Sequence, residues 1–194
     1  MADPSYIVDG TLLDGEAWIA LASTTLGADA ANITFTDPSD GSSLDWCQFM
    51  DIVAIMYWRG AFSASTRNGL LQLNGDTTAG NYRIEAFYGD GTSVTCLPWD
   101  ENGVAYGSLI ANSATANAFT AAIVHFSDIN SGKFKTFLVQ TASDYASGGI
   151  SQITSGVYKS QAPITSILFK PDAGDMLDES RIDLFGILPR MVTA

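Results

Sequence analysis

The sequence predicts an all-β protein: an antiparallel, jelly-roll-like β-sandwich of about ten strands behind a short N-terminal arm. Three observations carry this. Short runs rich in β-branched and aromatic residues recur at near-regular spacing, separated by Gly, Asn, Asp and Ser. No window of a dozen residues keeps apolar positions at i, i+3, i+4 and i+7 without Gly, Asp or Thr intruding. With no helices to carry parallel crossovers, strands in this number pack as two antiparallel sheets.

Residues 1–15 stand apart, because DPSYIVDGTLLDG mixes turn residues with a few apolar ones and holds no period. They read as an arm in which Tyr6, Ile7, Val8, Leu12 and Leu13 contact a neighbouring subunit, against the plainer alternative of a frayed terminus. Residues 16–194 form the sandwich, with no internal repeat, low-complexity tract or second domain. Its first expected strands are 17–24, 31–36, 47–59 and 69–74. Within the third, IVAIMYW is apolar on both faces, as in a central strand covered twice or one whose outer face meets a partner. Strands follow at 82–88, 118–126, 134–142, 152–160, 164–170 and 181–188. YRIEAFY alternates cleanly, Tyr82, Ile84, Ala86 and Tyr88 on one face and Arg83 and Glu85 on the other.

LNGDTTAGNY (73–82) invites comparison with a phosphate cradle, but a cradle leads into a helix N-terminus and here a strand follows. Gly75 and Gly80 permit positive φ, and Asn74 and Asp76 suit tight turns, so the segment reads as the connection of a β-hairpin.

A chain of 194 residues is long enough to bury a substantial core without disulfides or metal. Cys47 and Cys96 can form at most one disulfide, and the sequence leaves their pairing open. The formal charge of −12 repels phosphates, which argues against nucleic acid as a partner. MADPSYIVDG lacks a signal-peptide pattern and the longest apolar runs are too short to span a bilayer, so no membrane association is expected. Only 15% of residues are charged, leaving an exterior of short polar side chains that lose little rotamer entropy when another subunit covers them.

Candidate chemistry is thin. His125, the lone histidine, shares a strand face with Ile123 and Ala121, and no G-x-S-x-G elbow accompanies it. No Walker loop, dinucleotide fingerprint, H-E-x-x-H or cysteine cluster is present. Glu85, Asp100, Glu101 and Asp144 lie near aromatics, but their spacing does not identify a glycosidase pair. Calcium has two candidate loops, Asp37, Asp40 and Asp45 in one and Asp172, Asp175, Asp178 and Glu179 in the other; neither has EF-hand spacing, and turn closure explains both. In CLPWDENG, Trp99 beside Asp100 and Asn102 has the composition of a sugar-stacking site, with a Trp folded over the sheet edge as the alternative. No catalytic residue, cofactor or metal is expected.

Four segments together resemble a family of tailed-phage virion structural proteins, often labelled phage structural or tail fibre proteins. They are IALASTTLGADAANITFT (19–36), LLQLNGDTTAGNYR (70–83), TANAFTAAIVHFSDINSGKFKTF (115–137) and ITSILFKPDAGDMLDESRIDLFGI (164–187), in the family's order. Two departures are Phe185 where the family has Tyr and the charged run Glu179 to Asp183 at the start of the last strand. The resemblance implies a jelly-roll sandwich and no assigned catalytic residues. It leads to the expectation of a non-enzymatic virion protein, a capsid decoration or cement protein docking on the assembled shell as a homo-oligomer, with a trimer favoured. The alternative is a tail or head fibre module that binds host-surface polysaccharide through Trp99, Asp100 and Asn102.

Overall fold

The computed structural model describes residues 7–8, 11–12, 18–42, 44–99, 103–145 and 148–188. Sixteen strands are present among the described residues. In chain order they are β1 (Ile7–Val8), β2 (Thr11–Leu12), β3 (Trp18–Thr25), β4 (Ile33–Thr36), β5 (Asp51–Trp58), β6 (Gly60–Ala61), β7 (Thr66–Leu73) and β8 (Tyr82–Gly89). There follow β9 (Val94–Trp99), β10 (Val104–Ile110), β11 (Thr120–Ser127), β12 (Lys135–Tyr145), β13 (Gly148–Tyr158), β14 (Ser166–Pro171), β15 (Asp175–Met176) and β16 (Arg181–Ile187).

Twelve of them build the sandwich. Eight form one sheet in the order β3-β16-β5-β11-β12-β13-β8-β9, and four form the other in the order β10-β7-β14-β4. Every strand pairing is antiparallel. The all-β antiparallel sandwich is as the sequence predicts; jelly-roll winding is a finer feature that the eight-over-four order does not by itself establish. Trp58, Phe126, Phe137, Leu71, Leu73, Ile167 and Phe169, drawn from both sheets, are essentially fully buried in the shared core. Burial of each such side chain contributes about 1.5–3 kcal/mol.

The expected ten strands become twelve, and the two additions have recognisable disguises. β9 carries Pro98, which cannot donate to a ladder; it is tolerated because β9 is an edge strand paired only with β8. β10 is interrupted by Gly107 at φ +132°, beside a register shift against β7. A Cβ on Gly107 would sit 2.2 Å from Thr141 Oγ1 of the facing sheet, so only glycine lets β10 lie this close to β12.

The expected strand 47–59 also divides. Its first residues form a 3-10 turn, Trp46–Gln48, and β5 begins at Asp51. The turn is held by side chains: Asp45 accepts from the Cys47 amide at 3.0 Å, and Asn130 donates to the carbonyls of Trp46 and Phe49 at 2.9 Å each.

The segment 73–82 corrects the hairpin expectation. Asn74 (φ 54°) and Gly75 (φ 67°) do form a tight turn, with the Asp76 amide donating to the Leu73 carbonyl at 2.9 Å. Yet β7 belongs to the four-stranded sheet and β8 to the eight-stranded one, so the loop is an arch from one sheet to the other. Tyr82 closes it. Its hydroxyl accepts from the Leu73 amide at 3.0 Å and donates to the Asp76 carbonyl at 3.0 Å, while its ring stacks on Tyr158 at 4.9 Å. Asn74 extends the arch to β14, accepting from the Thr165 amide at 2.8 Å and donating to the Pro163 carbonyl at 2.8 Å.

Two buried cations hold loops in a similar way. Arg59, 5% exposed, donates to four carbonyls of the 111–118 loop: Thr115 and Ala118 at 2.8 Å, Ala111 at 2.9 Å and Ala114 at 3.2 Å. Lys135, 1% exposed, donates to the carbonyls of Ser131, Lys133 and Gln161, and its burial pushes the ammonium pKa below the usual lysine range.

Replacing Tyr82 by Phe leaves the buried Leu73 amide unpaired and is expected to cost about 2 kcal/mol in urea denaturation, with the far-UV spectrum unchanged. Arg59→Met, which orphans several loop carbonyls at once, is expected to cost about 3 kcal/mol or more in the same assay.

Candidate functional site

The outward face of the eight-stranded sheet is the most unusual surface of the molecule. Strand register fixes what it displays, because residues paired laterally point the same way. One row crosses the whole sheet: Ser23, Asp183, Ile55, Ile123, Gln140, Ile153, Phe87 and Cys96. Two residues along each strand to one side runs Tyr57, Ala121, Ala142, Ser151, Gly89 and Val94; to the other side runs Val53, itself buried, then His125, Leu138, Ser155, Glu85 and Pro98.

Large apolar side chains stand open to solvent on this face. Tyr57 and Ile153 are 51% exposed, Phe87 51%, Leu138 57% and Ile123 47%, more apolar exposure than a sheet face that meets only solvent ordinarily carries. Tyr57 is held upright by Phe119, their rings stacked 4.8 Å apart and 13° from parallel. Two shallow grooves lie in the face. One, of about 510 Å³, runs over the short side chains Ala121, Ala142 and Ser151 between Ile55, Ile123 and Ile153. The other, of about 820 Å³, passes Leu138, Ser155, Thr136 and Ser127 toward Arg83, Glu85 and Pro98.

Apart from Asp51 at the start of β5, which holds His125, and Asp144 near the end of β12, charge is kept to the flanks. Arg181 and Asp183 pair with each other on β16, Nε to Oδ2 at 2.9 Å, and Ser23 donates to Asp183 at 2.6 Å. Arg83 and Glu85 stand at the opposite side on β8.

His125 belongs to this face and is half-exposed. Its Nε2 lies 2.8 Å from Asp51 Oδ2, and Asp51 Oδ1 accepts the Asp128 amide at 2.8 Å, so the carboxylate anchors a turn as well as the ring. Among the described residues no hydroxyl or thiol is hydrogen-bonded to His125, so the pair has the base and its orienting acid without a nucleophile. Of the carboxylates weighed for a glycosidase, Glu85 and Asp144 do not meet. Glu85 is level with Leu138 through Ser155, whereas Asp144 lies six positions farther along β12 (138 to 144), roughly 20 Å at strand rise and well beyond the 5–9.5 Å such enzymes need. Asp100 and Glu101 lie outside the described residues.

The first acidic loop is committed to its own backbone. Asp37 accepts the Trp46 amide at 2.9 Å and the Ser39 amide at 3.1 Å, Asp40 the Ser42 amide at 2.9 Å, and Asp45 the amides of Gly41 and Cys47. In the second, Asp172 faces Arg67 at 3.9 Å and the Asp178 amide donates to Asp29 at 3.0 Å. Among the described residues no three His, Cys, Asp or Glu side chains converge on a metal position.

Trp99 ends β9, its backbone in register with Ile84, and Asp100 and Asn102 lie outside the described residues. In the arm, β1 and β2 pair as a hairpin with Ile7 opposite Leu12 and Val8 opposite Thr11; Tyr6 and Leu13 fall outside the described residues. Cys47 and Cys96 are both free and exposed. The exposed face itself was only half visible in the sequence: IVAIMYW announced a strand apolar on both sides, but Leu138, Ile153 and Phe87 become one surface only when register aligns them.

Neither protein-family models nor curated proteins match the chain.

Asp45 also governs Cys47: its carboxylate accepts from the thiol and pushes the thiol pKa up to about 11. Because the thiolate is the reactive form, Cys47 is expected to alkylate slowly at pH 8 despite its exposure, and Asp45→Asn to accelerate it on the order of tenfold. Mass-spectrometric alkylation rates read both.

Proposed function

We propose that the chain is a non-enzymatic structural protein of a bacteriophage virion, a capsid decoration or cement protein that docks on the assembled shell as an oligomer. The observation that carries this is the broad outer face of the eight-stranded sheet, whose central strands display mainly apolar and small side chains. A protein that works by docking needs such a face and a rigid scaffold behind it. The side chains with chemical potential are otherwise engaged: His125 with Asp51, and Asp37, Asp40 and Asp45 with backbone amides. The four segments that resemble phage structural proteins supply the virion context.

A fibre module that binds polysaccharide is the second reading. The 820 Å³ groove favours it, since hydroxyls of Ser127, Thr136 and Ser155 lie beside Arg83 and Glu85 at the edge that β9 continues toward Trp99. Binding on a glycan array would support that role.

Quantitative mass spectrometry of particles from the encoding phage is expected to find the chain in hundreds of copies per particle. Absence from purified particles, or turnover of a polysaccharide by the purified chain, would overturn the proposal. Deleting residues 1–15 is expected to leave a folded protein that no longer incorporates; normal incorporation would remove the arm as an anchor.

A further inference from the structure

We propose that the outer face of the eight-stranded sheet is covered by a second copy of this chain, stacked face to face about a two-fold axis that runs along the Ile55, Ile123, Gln140, Ile153 row. The inference deepens the docking role proposed above by naming the occupant, and rests on that role for this face. It differs from the three-fold oligomer that the sequence favours.

Size is the first support. Eight strands at about 4.8 Å span about 38 Å, and the rows cover roughly 20 Å along the strands, on the order of 800 Å² per copy. A standard interface takes about that much from each partner.

Charge is the second. Three rows on the four central strands β5, β11, β12 and β13 give twelve outward positions, and none is Asp, Glu, Lys or Arg. Within that centre two molecules that each carry a formal −12 can stack without bringing like charges together, and on β16, where the axis brings Asp183 beside its own copy, each carboxylate is already paired with Arg181 at 2.9 Å. An acidic or basic foreign partner would find in that centre only His125, already paired with Asp51.

Shape is the third and the most selective. The groove of about 510 Å³ lies on one side of the row, over Ala121, Ala142 and Ser151, while Leu138, 57% exposed, projects on the other. On β12, Ala142 and Leu138 are each two residues from Gln140. A half-turn about the row therefore sets Leu138 of one copy over Ala142 of the other, a knob in each groove, twice per dimer. Gln140 lies on the axis and meets its own copy, where the amide of each donates to the carbonyl of the other and neither is left unpaired. A single patch that contains both knob and groove is what an isologous interface requires.

The test is the oligomeric state combined with position-specific cross-linking of the full-length chain. Sedimentation at micromolar concentration is expected to show a dimer. Ile123→Glu, which places an unpaired charge near the axis, is expected to weaken dimerisation about a hundredfold or more while the folded spectrum is kept, since the position is exposed in the single molecule. In a Cys47→Ser, Cys96→Ser background, Gln140→Cys is expected to form a disulfide dimer under mild oxidation and Thr34→Cys, on the four-stranded sheet, to remain monomeric on a denaturing gel. A monomer, or a dimer that Gln140→Cys fails to cross-link, would overturn the two-fold pairing. If that monomer still incorporates into particles the virion role survives; a cross-linked dimer that is absent from particles supports the pairing and sinks the virion role instead.

Discussion

Eight strands face four across a single core, and this inequality shapes the rest of the molecule. The inner face of the wide sheet buries Ile52, Ala54, Met56, Trp58, Val124, Phe126, Phe137 and Val139 against Leu71, Leu73, Ile167 and Phe169. Among the described residues no sheet lies opposite its outer face, yet Ile55, Tyr57, Ile123, Leu138, Ile153 and Phe87 remain apolar there. A sheet face that solvent alone would meet ordinarily alternates to polar residues, as β8 does at Arg83 and Glu85. The central strands keep apolar groups on both sides, which is the pattern of a surface that is covered in use.

The scaffold behind that face is made rigid by groups that would otherwise be reactive or charged. Of the nine basic residues, Arg59 and Lys135 are buried as carbonyl clamps for loops. Two acids, Asp45 and Asp51, are buried as well, so the strongly acidic balance of the composition carries over to the exterior, which favours contacts at uncharged patches over charged ones. Tyr82 and Asn74 do the same for the arch between sheets, and Asp37, Asp40 and Asp45 for the turn that enters β5.

Much of the fold was legible because period-two alternation and turn residues act locally. YRIEAFY shows the expected faces, with Tyr82, Ile84 and Ala86 buried and Arg83 and Glu85 exposed. Other features were hidden by non-local causes. Pro98 and Gly107 disguised β9 and β10, whose tolerance of those residues depends on an edge position and on close approach to Thr141. The Asn74-Gly75 turn has local hairpin geometry, but which sheet receives the strand after it is decided by the core and by the Tyr82 hydroxyl. The apolar face needed register, which single-strand patterns do not contain. The tight acidic loop at 37–45 illustrates the opposite case, in which the ordinary turn chemistry of Asp accounts for every carboxylate placed there.

The central claim is that this outer face acts by being covered. Hydroxyl-radical footprinting of the chain, dilute and then assembled, tests it most directly, because it reports side-chain exposure whatever the partner proves to be. Tyr57, Phe87 and Leu138 should lose labelling on assembly while Leu44 and Met50, exposed elsewhere on the molecule, label equally in both states. Unchanged labelling of the three face residues in the assembled state would contradict the account.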